Sequence, residues 1–149
     1  MYRSGQIYYI KNFKQGDKSL PKNRYCIILT IKEPDLAIVF HKVTRKTYCD
    51  PQGLKPKGNI INTNIELFKF PKGEVIGKKG FYFDDDSYVH MGVWNISDFS
   101  LEKFESLESE YIDDLKDEWL NDLLYFIYKS DHIKQKYARL LEPELERLN

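Results

Sequence analysis

The spacing of apolar residues changes along this chain of 149 residues, and that change constrains the fold more than any other feature. In the first two-thirds, apolar residues form short runs, rich in β-branched side chains, separated by Gly, Pro, Asn and Asp. Such runs are typical of strands joined by turns. In the last third, apolar residues recur every three or four positions, the spacing of an amphipathic helix. The chain is therefore predicted to be mainly β with an α-helical extension.

Five to seven short strands are predicted in the first part of the chain. The strongest candidate covers residues 24–31, which are nearly all apolar, as in a centrally buried strand. Residues 36–44 form a second such strand, and the short turn at Glu33-Pro34-Asp35 predicts an antiparallel hairpin. The other candidates are residues 5–10, 59–62, 66–70, 81–83 and 88–94. This pattern favours a small twisted β-barrel domain at residues 1–98.

Residues 99–149 are predicted to form an acidic helical extension that packs on the barrel. Ser100 can cap a helix that continues to residue 127. The apolar stripe of this helix is Leu101, Phe104, Leu107, Tyr111, Leu115, Trp119, Leu123, Phe126 and Ile127. A second helix is predicted from Asp131 to the residue before Pro143, since the residue preceding a proline disfavours helical backbone angles.

The composition excludes several classes of protein. Aromatic residues make up 15% of the chain, which argues against global disorder. No stretch of about 18 residues is continuously apolar, so no transmembrane helix is expected. The N-terminal residues lack an apolar segment followed by a small-residue cleavage site, so a cytoplasmic location is expected. In that compartment Cys26 and Cys49 would remain buried thiols.

A formal net charge of zero conceals an uneven distribution of charge. Residues 1–80 contain 16 Lys and Arg against 6 Asp and Glu, whereas residues 81–149 contain 7 against 17. This asymmetry suggests a basic surface for a polyanion, an acidic segment that covers it, or both. The alternative interpretation is two solvated faces of unlike charge.

Motifs for cofactor or metal chemistry are weak. Residues 73–79 resemble a phosphate-binding loop, but the spacing is one residue short and no Ser or Thr follows the lysines. His41, Cys49, His90 and Asp84-Asp85-Asp86 lack the paired spacing of a metal site. The three aspartates are interpreted as solvated turn residues. Neither a metal nor a cofactor is predicted.

Basic residues cluster where the two buried strands meet the loops at one end of their hairpin. In an antiparallel hairpin the start of one strand lies beside the end of the next, so these residues should converge at one rim. The rim residues are Lys22, Arg24, His41, Lys42, Thr44, Arg45, Lys46 and Thr47. Guanidinium groups there could bind phosphate, and Tyr8, Tyr9, Tyr25 and Tyr48 could stack on unpaired bases. The alternative is that these cations are solubilising residues beside apolar strands.

The order of these features resembles that of the MazF/PemK family of toxin endoribonucleases. The resemblance lies in a strand opened by Gly5, an apolar strand entered through Arg24, and a next strand ending at Thr44. It continues with Asp86-Ser87-Tyr88-Val89 and Trp94-Asn95-Ile96-Ser97 and covers about the first hundred residues. The chain departs from the family at Tyr25, where the family usually has proline, and in its long C-terminal part.

The resemblance implies a small SH3-like barrel that cleaves single-stranded RNA without a metal ion. The ribose 2′-hydroxyl would attack the adjacent phosphate, with Arg24 neutralising the developing charge and Thr44 holding the phosphate. His41 is a further candidate general acid or base. Lys22, Lys42, Arg45 and Lys46 would bind the RNA backbone.

The resemblance also implies possible partners, and a non-catalytic interpretation stays open beside it. An inhibitory partner protein and a homodimer would fit a toxin-like nuclease. The acidic helix could lie across the basic groove or dock a partner. The alternative is a non-catalytic SH3-like interaction or nucleic-acid-binding module that uses its C-terminal helix for assembly.

Overall fold

The computed structural model describes residues 1–14, 20–33, 36–45, 58–62, 65–91, 96–131 and 133–149. These residues form a mainly β protein with C-terminal helices, which confirms the coarse fold class. The strands are β1 Gln6–Phe13, β2 Lys22–Lys32, β3 Ala37–Val43, β4 Gly58–Asn62, β5 Ile65–Phe70, β6 Ser87–Met91, β7 Ser97–Phe99 and β8 Glu108–Asp114. The helices are α1 Leu101–Glu105, α2 Asp117–Tyr128 and α3 Gln135–Leu148. None of the helices in these ranges is long and apolar enough to cross a membrane.

The strands form two antiparallel sheets and not a closed barrel, so the small twisted SH3-like barrel that was predicted is not confirmed. One sheet has the order β7-β3-β2-β1-β8 and the other β4-β5-β6. They are linked by an isolated bridge between Thr44 and Tyr88. The barrel does not close in the described residues because β7 pairs with residues 38–40 of β3, so β6 reaches that edge only at Thr44.

The predicted hairpin of residues 24–31 and 36–44 is confirmed as β2 and β3. The two strands pair antiparallel, with Tyr25 opposite Val43 and Cys26 opposite Lys42. Their apolar residues alternate between two cores, one on each face of the five-stranded sheet. Ile27 and Val39 belong to the core that α2 and α3 also join, whereas Ile28 belongs to the core beneath α1. This burial on both faces explains the nearly continuous apolar sequence.

The single helix predicted for residues 101–127 is wrong. Ser100 does cap a helix, since its hydroxyl accepts a hydrogen bond from the Lys103 N–H, but α1 has only five residues. Residues 108–114 instead form strand β8, which pairs with the outer edge of β1. Tertiary pairing overrides the local helical spacing there, because the open edge of β1 offers backbone hydrogen bonds that a helix would leave unused. The segment 99–149 is therefore not purely helical.

Two smaller expectations also differ from the structure. The second C-terminal helix begins at Gln135 and continues through Pro143, which was expected to stop it. Leu141 is fully buried, and Leu145 and Leu148 pack against the same core, which offsets the hydrogen bond that a proline removes. Residues 81–83 are not a strand, because the Phe81 carbonyl accepts hydrogen bonds from the Ile76 and Gly77 N–H groups in a compact turn.

A buried carboxylate fixes that turn to the edge of the five-stranded sheet. Asp113 of β8 is 1% exposed. Its carboxylate accepts hydrogen bonds from the backbone N–H groups of Lys79, at 3.0 and 3.1 Å, and Phe81, at 3.1 Å. Gly77 is required beside it, since a Cβ at that position would lie 2.0 Å from an Asp113 oxygen. The loop that resembles a phosphate-binding loop thus binds the protein's own carboxylate.

Replacing Asp113 should destabilise the protein more than replacing an exposed aspartate. Asp113→Ala leaves the partly buried N–H groups of Lys79 and Phe81 without their acceptor and empties a buried site, so the free energy of unfolding should fall by about 2–4 kcal/mol. Urea denaturation followed by circular dichroism measures this change. Asp122→Ala on the exposed side of α2 is the control and should change stability by less than about 0.5 kcal/mol. Equal effects of the two substitutions would contradict this account of Asp113.

A second polar network fastens the N-terminal residues to β8. The Arg3 guanidinium donates two hydrogen bonds to Asp114, from Nε at 2.9 Å and from Nη2 at 2.8 Å. The Tyr111 hydroxyl donates to the same carboxylate. This hydrogen bond raises the pKa of Tyr111 to about 12, because ionising the phenol would place a second negative charge beside Asp114.

The raised pKa of Tyr111 predicts a loss of stability at alkaline pH. In the folded protein Tyr111 keeps its proton above pH 10, where the phenol of the unfolded chain ionises. The stabilisation from its hydrogen bond to Asp114 is therefore complete below pH 10 and is lost as the pH rises towards 12. Wild type should therefore exceed Tyr111→Phe in stability at pH 8, and the gap should narrow between pH 10 and 12. Urea denaturation of both proteins across this range measures the gap. A gap that stays constant would disprove the linkage.

Candidate functional site

A cavity of about 810 Å³ lies where the β2–β3 hairpin meets residues 81–87. We call it the rim cavity. Its lining combines basic, aromatic, hydroxyl and acidic side chains: Tyr9, Lys22, Asn23, Arg24, Tyr25, Val43, Thr44, Arg45, Phe81, Tyr82, Phe83, Asp84, Asp85 and Ser87. A volume of this size is in the range of ligand sites in proteins.

Four of the residues predicted for the site line the rim cavity together. Lys22 and Arg24 come from the start of β2, and Thr44 and Arg45 directly follow β3. The antiparallel register brings these two segments to one rim, as the sequence predicted. Thr44 is 3% exposed. Its backbone is held by Tyr88, because its N–H donates to the Tyr88 carbonyl at 2.8 Å and its carbonyl accepts from the Tyr88 N–H at 2.7 Å.

His41 and Lys42 were predicted at the same rim but do not line the cavity. His41 is fully buried, and its Nδ1 lies 2.9 Å from the Lys42 carbonyl, to which it donates. It pairs with Ile27, so its side chain points into the core between the sheets. Lys42 is 3% exposed and pairs with Cys26, which places it on the opposite face. Lys46, Thr47, Tyr48 and Cys49 lie outside the described residues.

An aromatic wall forms one side of the rim cavity. Tyr9 and Tyr25 are cross-strand neighbours with ring centroids 4.8 Å apart. The Tyr25 ring contacts Phe83 edge-on at 5.1 Å, and Phe81 lies 5.0 Å from Phe83. Such contacts fix these rings in place. Tyr82, which lies between Phe81 and Phe83 in the sequence, also lines the cavity and is 49% exposed. Tyr8, also expected to stack on bases, instead packs against Phe104 on the other face of the sheet.

Acidic groups stand beside the basic ones in this cavity. Arg45 Nη1 lies 2.9 Å from Asp85 Oδ2, and both side chains are largely exposed. An exposed pair of this kind contributes about 0–1 kcal/mol, so a stronger ligand can displace it. Burial raises the pKa of Tyr25, and the negative charges of Asp84 and Glu110 add to this shift. Tyr25 therefore keeps its proton at neutral pH.

Sequence reasoning missed the wall that residues 81–87 supply. The available signal was the run of three aromatics followed by three aspartates, Phe81-Tyr82-Phe83-Asp84-Asp85-Asp86. The position of this run in the fold could not be predicted from the sequence, because two long-range contacts determine it. These are the bridge from Thr44 to Tyr88 and the hydrogen bonds of the Asp113 carboxylate.

Cys26, which precedes Ile27 in β2, is a buried free thiol in the core beneath α1. Burial raises its pKa to about 12, although the positive charges of Lys42 and Arg24 oppose the shift. A thiol with this pKa is almost entirely protonated at neutral pH, so Cys26 is a core residue and not a nucleophile. Its burial confirms the interpretation made from the sequence.

Comparisons with known proteins found no match among protein-family models, curated proteins or solved structures. The site is therefore interpreted from its own residues. Across the part of the chain that the structure describes, no group of three or more His, Cys, Asp and Glu side chains could hold a metal ion. The chemistry available at the rim cavity is that of guanidinium, ammonium, hydroxyl, phenol and carboxylate groups.

The burial of Cys26 predicts that the thiol is unreactive in the folded protein. In a Cys49→Ser variant, which removes the other cysteine, a disulfide reagent at pH 8 should label Cys26 orders of magnitude more slowly in buffer than in 6 M guanidinium. The reason is that the thiol is both inaccessible and protonated. Absorbance of the released thiolate measures the rate. Rapid labelling in buffer would show that Cys26 is accessible or ionised.

Proposed function

We propose that the chain binds single-stranded RNA in the rim cavity and cleaves it by attack of a ribose 2′-hydroxyl on the adjacent phosphate. The observation that carries the proposal is that Arg24 and Thr44 line the same cavity as an aromatic wall. A cation and a hydroxyl serve the phosphate, whereas aromatic rings serve unpaired bases. Double-stranded RNA would not fit this chemistry, because its bases are already stacked.

The binding step uses the cations and the rings together. Lys22, Arg24 and Arg45 contact phosphates, and binding weakens as salt concentration rises because counterions are released from the RNA. Tyr82 and Tyr9 line the cavity, and a base that stacks on an aromatic ring gains about 1–3 kcal/mol. A phosphate at Arg45 replaces the Asp85 carboxylate that pairs with it in the free protein.

The chemical step forms the bond between the 2′-oxygen and phosphorus and breaks the bond from phosphorus to the 5′-oxygen. The products are a 2′,3′-cyclic phosphate and a 5′-hydroxyl. Arg24 stabilises the charge of the phosphorane, and the Thr44 hydroxyl donates a hydrogen bond to a phosphate oxygen. The nucleophile belongs to the substrate, so the protein has only to align it and to move two protons.

The proton transfers are assigned to cavity residues, since His41 is buried elsewhere. Asp85, released from Arg45 by the phosphate, accepts the proton of the 2′-hydroxyl. Tyr25 keeps its phenolic proton at neutral pH, because burial raises its pKa, and gives that proton to the departing 5′-oxygen. Ionised Tyr25 then regains a proton from solvent, and protonated Asp85 releases to solvent the proton that it took from the 2′-hydroxyl.

The helix stripe offers no comparable support for assembly with a partner. Its α2 members Trp119, Leu123 and Phe126 are buried in the core that α2 shares with the two sheets. No second function is therefore proposed on that stripe. The inhibitory partner and the homodimer that the resemblance implied stay predictions.

Cleavage should depend on Arg24 and Thr44 and should continue in EDTA. With a mixed single-stranded RNA as substrate, Arg24→Ala should lower the rate by about 10²–10³-fold, because one charged contact to the transition state is lost. Thr44→Val, nearly the same shape without the hydroxyl, should lower it by about tenfold. Gel electrophoresis with end-group analysis measures both the rate and the cyclic phosphate.

Matched variants separate this outcome from a general loss of charge or fold. Arg147→Ala removes an arginine from α3, away from the rim cavity, and should cleave like wild type. Circular dichroism checks that each variant is folded. Binding of RNA without cleavage by wild type at any enzyme concentration would reject the nuclease and leave a single-stranded RNA-binding protein. Absence of both binding and cleavage would reject the proposal altogether.

A further inference from the structure

The three consecutive aspartates at the rim cavity have three different environments. Asp86 anchors the turn, since its Oδ1 accepts the Lys72 N–H at 2.8 Å and its Oδ2 lies 3.7 Å from Lys69 Nζ. Asp85 pairs with Arg45 at 2.9 Å. Asp84 is exposed and lines the cavity, and among the described residues its carboxylate has neither a hydrogen bond nor an ion pair. The Asp86 contacts hold the turn that presents the Asp84 carboxylate, and they do not involve Arg45, which the proposed function assigns to phosphate.

We infer that Asp84 recognises guanine in the RNA bound to the rim cavity. This inference rests on the proposed function and adds the base preference of the same site. Asp84 lines the cavity beside Tyr82, whose exposed ring can stack on a base, and beside Tyr25. A base held on these rings would present its edge to the carboxylate.

The chemistry of a carboxylate selects the base. An ionised aspartate only accepts hydrogen bonds and repels phosphate, so its partner must be a donor on the base edge. Guanine has two adjacent donors, N1–H and the N2 amino group, which match the two oxygens of a carboxylate. Adenine and cytosine each offer a single amino group, and uracil offers one N–H. A bidentate pair to guanine therefore favours this base over the other three.

Binding of short oligonucleotides tests the inference. The probes are uridine pentamers with a central guanine, inosine or uracil, all with 2′-fluoro riboses so that no 2′-hydroxyl can attack. Inosine lacks only the N2 amino group of guanine. Fluorescence anisotropy of wild type should give about tenfold tighter binding to the guanine pentamer than to the inosine pentamer, and weaker binding still to the uracil pentamer.

The Asp84→Ala variant should change the order of affinities and not only their level. It should lose the guanine preference, whereas its affinity for the all-uracil pentamer should stay equal or rise, because a negative charge has been removed. A folding defect would instead lower the affinity for every probe. Asp122→Ala on α2 removes an exposed carboxylate outside the cavity lining and should keep the guanine preference.

The outcomes distinguish a failure of this inference from a failure of the proposed function. Equal wild-type affinity for guanine and inosine, or a guanine preference that survives in Asp84→Ala, overturns the role of Asp84 while RNA still binds through the cavity. Arg45→Ala reports on the cavity itself, since it should weaken all probes together. If the Arg45→Ala variant binds every probe as tightly as wild type does, RNA does not occupy the rim cavity, and both proposals are overturned.

Discussion

The rim cavity depends on one buried contact, between the Asp113 carboxylate and the backbone of the turn at residues 77–81. A carboxylate that is 1% exposed would be costly without partners, and here the N–H groups of Lys79 and Phe81 satisfy it. The contact joins β8, at the edge of the large sheet, to the segment that continues into the aromatic and acidic wall. Together with the bridge between Thr44 and Tyr88, it positions that wall in the cavity that Arg24 and Thr44 also line.

The half of the site that the sequence predicted is the half that local pattern determines. The β2 and β3 strands are close in the chain and buried on both faces, so their antiparallel pairing followed from composition and spacing. Pairing then places Arg24 beside Thr44 without further information. His41 shows the limit of this reasoning, because proximity to the rim says nothing about which face of the sheet a side chain occupies.

The other half of the site was not predictable because long-range pairing decides it. Leu107, Tyr111 and Leu115 are spaced four residues apart, as on a helix, yet they lie in or beside strand β8 because β1 presents an open edge. That pairing places Asp113 where it can hold the turn before Phe81. The predicted barrel is not confirmed for a related reason, since β7, a strand that the sequence did not indicate, occupies part of the β3 edge.

The division of charge along the chain does not correspond to two separate faces at the cavity. The acidic part of the sequence supplies Asp84 and Asp85 to the cavity and Glu110 beside Tyr9, next to the cations of the basic part. A purely basic groove would hold any polyanion, whereas interspersed carboxylates repel phosphates at every position that is not matched by a cation. In the proposed RNA complex, the cavity would therefore gain affinity only from ligands that place phosphates and base donors in the right order. The aspartates would reduce nonspecific electrostatic attraction and increase the share of binding energy that depends on base identity.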